Sequence, residues 1–263
     1  MPFATAHGHR LHYEWIGPGP DAAPTLVFLH HGLGSVETWQ DYPQALCEAT
    51  GCGGLIYSRW GHGLSDPVSS APRPLDFMED EAWETLPEVL HKLYVREPIL
   101  IGHSDGGTIA LLFAAGPVPV PALAIVTVAA HVFYDQYSLA GMTAGRKDWD
   151  EGDLRAGLYR YHGDNVDGVY LAWSGLWFRP DALDWNIESH LVRITCPSLV
   201  IQGSEDAFGL EAQVDAIVNQ VSGPAKRLVL PGIGHEPHRE ARQSTLASMT
   251  EFIEAVLSER SMS

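Results

Sequence analysis

Ser104 stands in Gly102-His103-Ser104-Asp105-Gly106-Gly107, between an apolar run at 98–101 and a helix-like run at 108–115. Gly-x-Ser-x-Gly in that setting predicts a strand that turns sharply at the serine and leaves as a helix. Such a turn lifts the hydroxyl clear of the sheet. Small residues at 102 and 106 let the two backbones pass closely. A serine hydroxyl is a weak nucleophile at neutral pH. It needs a base within hydrogen-bond reach and a group that orients the base. Two later loops supply both. Ser204-Glu205-Asp206 follows an apolar run at 198–201, and Gly234-His235-Glu236 follows the run at 226–230. The order Ser104, Asp206, His235 is the order nucleophile, acid, base on a parallel sheet. In this reading Asp206 fixes the tautomer of His235, which takes the serine proton and later returns it. Glu205 is the alternative acid and His238 the alternative base. Gly232 and Gly234 suit a tight turn that presents His235.

Attack on a carbonyl also needs two N–H donors aimed at the developing negative charge. One is the backbone N–H of Asp105, at the positive end of the helix dipole. The other is expected from His30-His31-Gly32-Leu33-Gly34, and the flanking glycines point to the N–H of Leu33. The Asp105 carboxylate would oppose the charge if it faced the site. It is therefore expected to point away, capping the helix or meeting a nearby donor. His7, His9, His12, His91 and His190 read as solvated or core residues, and His62 as structural. No helix carries the paired spacing of histidines or carboxylates that a metal site requires.

These residues need elements to hold them. The alternation over 4–16 predicts an N-terminal hairpin. Buried strands are predicted at 25–29, 54–57, 98–101, 123–128, 198–201 and 226–230. Helices are predicted at 39–49, at 77–93 as one long amphipathic element, at 108–115, and at 244–257. Strands alternating with helices imply a mostly parallel sheet covered on both faces. The rhythm breaks after residue 128. Residues 131–187 hold 11 of the 25 aromatic residues and no convincing buried strand, so they read as a helical cap. The core is then 1–130 with 188–263.

Composition narrows the classes. Sixteen Lys and Arg against 33 Asp and Glu leave a net charge of −17. An acidic surface repels phosphate backbones and anionic lipid, which argues against nucleic acid and membrane partners. Three cysteines, Cys47, Cys52 and Cys196, cannot all pair, and they read as reduced thiols. The start of the chain lacks a basic segment followed by an apolar one. The expectation is a cytoplasmic monomer or homodimer acting on a small molecule.

The pieces Leu29-His30-His31-Gly32-Leu33-Gly34, Tyr57-Ser58-Arg59-Trp60-Gly61-His62-Gly63-Leu64-Ser65, Gly102-His103-Ser104-Asp105-Gly106, Gly203-Ser204-Glu205-Asp206 and Gly234-His235 occur in one order along nearly the whole chain. In this the chain resembles the α/β-hydrolase superfamily. One departure is the paired His30-His31, where a single histidine is usual. The resemblance implies an α/β-hydrolase fold with an eight-stranded sheet. It also implies a cap after strand six, no cofactor, and a site between cap and sheet. Haloalkane dehalogenases and epoxide hydrolases resemble the pattern but carry aspartate at the nucleophile position, so Ser104 argues against both. A serine implies an acyl-enzyme. The leading expectation is a serine esterase acting on a small or medium apolar carboxylic ester, with lactone or amide hydrolysis as a variant. His31, Tyr137, Trp173, Trp177 and Phe178 are candidates for the pocket. One alternative is carbon–carbon hydrolysis of a ring-cleavage diketone, with Arg59, Arg146, Arg160 or Arg179 holding its carboxylate. Another is an inactive scaffold that binds a small ligand.

Overall fold

The computed structural model describes residues 1–261. Eight strands form one sheet in the order β1-β2-β4-β3-β5-β6-β7-β8. β1 (Phe3–Ala6) and β2 (His9–Ile16) are the expected hairpin, and β2 runs antiparallel to β4 (Gly53–Tyr57). His7 and Gly8 both have positive φ, which is the twist a two-residue hairpin turn requires. β3 (Thr25–Leu29), β5 (Pro98–His103), β6 (Ala124–Val128), β7 (Ser198–Gly203) and β8 (Ala225–Leu230) continue the sheet in parallel from β4.

Period-two alternation sends the strand side chains to two cores. Leu26, Phe28, Ile99 and Ile101 pack on one face, against α1 (Tyr42–Thr50) and α11 (Arg242–Ser261). Val27, Leu29 and Leu100 pack on the other, against residues of three more helices. These are α2 (Phe77–Asp80), α3 (Leu86–Lys92) and α4 (Asp105–Ala115). Burying each such side chain stabilises the fold by about 1.5–3 kcal/mol.

The single helix expected at 77–93 runs from 77 to 92 with one irregular turn inside it. A π turn at Glu81–Thr85 separates α2 from α3. Pro87 offers no N–H to the carbonyl four residues back, and its ring crowds that carbonyl. The wider turn ahead of it accommodates both effects.

Between β6 and β7 lie α5 (Gln136–Glu151), α6 (Leu154–His162), α7 (Val166–Trp177) and α8 (Glu188–Leu191). The described residues of this stretch form no strand, only an isolated bridge between Phe133 and Asn186. α9 (Glu211–Gln220) and the short α10 (Pro237–Glu240) complete the helices. Among the described residues no helix is long and apolar enough to cross a membrane. The three cysteines are unpaired. In a parallel sheet the loops that follow the strands gather at one edge, where ligands bind.

Candidate active site

The serine turn follows β5. Ser104 has φ 55° and ψ −120°, a conformation that L-residues adopt only under constraint. A Cβ on Gly102 would lie 2.1 Å from the Gly106 carbonyl oxygen, and one on Gly106 would lie 2.0 Å from that of Leu29. Only glycine lets β3, β5 and α4 approach this closely.

Across the strand edge, His235 Nδ1 lies 2.8 Å from Asp206 Oδ2 and 2.9 Å from Oδ1. The Asp206 carboxylate is buried and also accepts from Gln202 Nε2 at 2.7 Å and from the Phe208 N–H at 2.8 Å. Three donors around one carboxylate hold the imidazole with its Nδ1 proton toward the acid. Nε2 is then left as a proton acceptor. The histidine loop is fastened from several sides. Glu205 N–H donates to the Ile233 carbonyl. Glu240 accepts from the N–H groups of Gly234 and Glu236 at 2.8 and 2.9 Å. His103 Nε2 donates to the His235 carbonyl at 2.8 Å.

Ser104 and His235 both line a cavity of about 380 Å³. Among the described residues Ser104 makes no hydrogen bond to His235. In ligand-free sites this bond often closes only when substrate seats. His31, Gly32, Leu33 and Asp105 line the same cavity. Leu33 N–H points to His31 Nδ1 at 3.3 Å, a long contact. Burial and neighbouring imidazoles hold His31 and His103 well below the usual histidine range, so both rings are neutral at pH 7.

Asp105 lines the cavity, and its side chain takes the second of the two expected roles, meeting a nearby donor rather than capping the helix. Its Oδ2 accepts from Trp173 Nε1 at 3.0 Å, so the expected nearby donor is an indole from α7. The reason is steric. Gly32 leaves room for the indole and the carboxylate to meet behind it, where a Cβ would lie 2.1 Å from Trp173 Nε1. Oδ1 lies 3.8 Å from His131 Nε2. Burial lowers the His131 pKa against the pull of Asp105, so this pair is a contact with a neutral ring.

This arrangement can abstract a hydroxyl proton, hold the imidazolium that forms, and offer N–H groups to an oxyanion. A profile of the alpha/beta hydrolase family matches residues 26–247. The chain belongs to the α/β-hydrolase family. It is an enzyme of that family. It is 28% identical over 234 residues to the serine hydrolase BPHL of Homo sapiens, covering 86% of this chain and 77% of that protein. The enol-lactonase of Burkholderia xenovorans superposes with a TM-score of 0.74 at 17% identity, over 96% of this chain and 99% of that one. A structure reported with carboxylesterases of Nitrososphaera gargenis gives a TM-score of 0.76 at 20% identity, over 98% and 100%.

Within this α/β-hydrolase frame, several sequence expectations are separated by geometry. Glu205 is exposed, while Asp206 meets the imidazole. His238 is buried against Trp39, Tyr42 and His103, and burial drives its pKa down to about 3. Trp173 and Trp177 line the cavity, but Tyr137 and Phe178 do not. Phe178 lies one residue past the face shared by 173 and 177, and it is exposed. Tyr137 instead donates its hydroxyl to the Asp206 carbonyl at 2.8 Å, outside the cavity. None of the four candidate arginines lines the cavity. Arg59 is buried under the loop after β3, Arg146 and Arg179 pair with Asp150 and Asp181, and Arg160 is exposed. Sequence reasoning missed Ser138 and Met142, which α5 presents to the cavity at i, i+4 spacing. It also missed the loop staple Glu240, a signal available only as an acidic residue five positions after His235.

Proposed function

We propose that this protein is a serine hydrolase that cleaves carboxylic esters of small or medium apolar substrates through an acyl-enzyme. The observation that carries this reading is His235, held by the buried Asp206, lining the same cavity as Ser104 on its strained turn. Ser104 attacks the ester carbonyl while His235 takes its proton. The carbonyl oxygen becomes an oxyanion held by the N–H groups of Leu33 and Asp105. Collapse expels the alcohol, which receives the proton from His235. Water then repeats the sequence on the acyl-enzyme and releases the acid. Residues 131–187 act as a cap. Trp173 and Trp177 with Met142 favour apolar groups, and a cavity of about 380 Å³ sets the size range. No inward arginine is available for a carboxylated diketone, which sets ester cleavage ahead of carbon–carbon cleavage. The relatives named above support the choice: a serine hydrolase, an enol-lactonase and a structure reported with carboxylesterases.

The test is a series of p-nitrophenyl esters of graded acyl length, run beside one ring-cleavage diketone and a fluorophosphonate label. Ester turnover and labelling that both vanish in Ser104→Ala support the reading. Diketone turnover without ester turnover moves the assignment to carbon–carbon hydrolysis, and absence of labelling removes the nucleophile.

A further inference from the structure

The loop after β3 is held through its carbonyl groups. Arg59 donates to the carbonyls of His30 and His31. His62 Nε2 donates to the Gly32 carbonyl at 2.9 Å, and His162 Nε2 to the Leu33 carbonyl at 3.0 Å. In a trans peptide the C=O and the following N–H point in opposite directions. Anchoring the Gly32 carbonyl on His62 therefore aims the Leu33 N–H the other way, toward His31 Nδ1 at 3.3 Å on the cavity wall. His162 fixes the next peptide and so the far side of Leu33.

We infer that His62 and His162 are positioning residues for the oxyanion-binding N–H of Leu33, and that the helical insertion thereby builds part of the site it covers. This rests on the acyl-enzyme reading above. His162 ends α6, in the insertion. Its Nδ1 accepts from the Gly63 N–H at 3.0 Å, so a neutral ring carries its proton on Nε2, facing Leu33. His62 Nδ1 faces the Trp60 carbonyl at 3.1 Å and Nε2 the Gly32 carbonyl at 2.9 Å; a neutral ring donates to one of them, and the shorter contact places the proton toward Gly32. The Leu33 side chain completes the link. It packs in an apolar cluster whose other buried members, Leu158, Val166, Val169 and Tyr170, all belong to the insertion. Leu33 thus has its side chain and its carbonyl held by the insertion while its N–H points to His31 on the cavity wall. Both imidazoles lie behind the cavity wall and act only through the peptides they hold.

Two variants with opposite hydrogen-bonding reach provide the test. His162→Asn keeps an acceptor for Gly63 but leaves the Leu33 carbonyl without its donor. His162→Gln extends an amide donor to the Nε2 position. Fluorophosphonate titration counts competent sites, so kcat is read per folded enzyme. His162→Asn is expected to lower kcat on a p-nitrophenyl ester roughly tenfold to a hundredfold, with KM within about twofold. It should weaken a boronic acid that forms a tetrahedral adduct by a similar factor, and His162→Gln should restore most of both losses. Equal kcat in all three proteins, equal loss in both variants, or a change in KM alone overturns the inference. If His162→Asn does not fold, His62→Asn and His62→Gln pose the same question at the Gly32 carbonyl. Ser104→Ala, run alongside, separates the two levels. Ester turnover that depends on Ser104 sustains the proposed function whatever the histidine variants do, and absence of such turnover overturns both.

Discussion

At the residue scale, the two carboxylates beside the serine differ in what surrounds them. Asp206 accepts from His235, Gln202 and Phe208, and all three are donors. An asparagine there has one oxygen for three donors. Its NH₂ group must face either the Gln202 amide or the Phe208 N–H, and in both positions it also lies against His235 Nδ1, where a donor favours the wrong tautomer. Asp206→Asn is therefore expected to lower kcat by on the order of 10⁴-fold while the protein stays folded. A thermal melt close to that of the parent, with turnover lost, is the signature; near-normal turnover would remove Asp206 from its role. Asp105 has one short partner, the Trp173 indole. Asparagine can present its oxygen to that donor, so Asp105→Asn is expected to cost less than about tenfold in kcat. A loss as deep as that of Ser104→Ala would show that the charge itself takes part in the reaction.

At the scale of elements, the serine turn tolerates no side chain where β3, β5 and α4 converge. A Cβ on Gly106 would overlap the Leu29 carbonyl, and one on Gly203 would lie 2.1 Å from the Gly234 oxygen. The contacts are backbone, so no side chain can swing aside. Gly106→Ala is expected to destabilise by at least about 3 kcal/mol, read as a lowered denaturant midpoint; an unchanged midpoint would mean that the strand and helix can separate. This local crowding is also why the serine turn was legible in the sequence. The turn, the loop after β3 and the loops holding Asp206 and His235 each carry their constraint within a few residues. The strand order then brings them to one edge. Other features depend on partners far along the chain. His162 meets Leu33 across 129 positions, and Trp173 meets Asp105 across 68. No local pattern encodes either contact. Phe178 and Tyr137 were misassigned for the same reason, because composition marks an aromatic insertion but not which face of each helix looks inward.

At the scale of the whole molecule, two effects act in opposite directions as pH falls. The net charge of −17 shrinks toward zero near the pI of about 5.0, which relieves self-repulsion and favours the compact state. Against this stand the buried imidazoles. Burial holds His30, His31, His62 and His103 well below the ordinary value of 6.5. It also lowers His162, and takes His238 to about 3. A depressed folded-state pKa means that the unfolded chain binds protons first. Stability from these groups is complete above pH 6.5 and falls as pH drops below it, until each folded-state pKa is reached. Each such histidine removes about 1.4 kcal/mol per pH unit in that window, so four together remove roughly 5 kcal/mol. That matches the whole stability of many domains, whereas repulsion among exposed charges is screened within about 8 Å at physiological salt. The histidines should win. Tm is expected to be level above pH 7 and to fall steeply below about pH 6, with several protons taken up on unfolding in calorimetry across buffers of different ionisation heat. Added salt suppresses repulsion between surface charges but not burial, so the slope should persist at high salt. His238→Phe, which replaces the ring among Trp39, Tyr42 and His103 with one that cannot be protonated, should reduce the uptake by about one proton. A Tm that stays level from pH 7 to 5, or a slope that salt abolishes, would place the acid response on the surface rather than in this buried set.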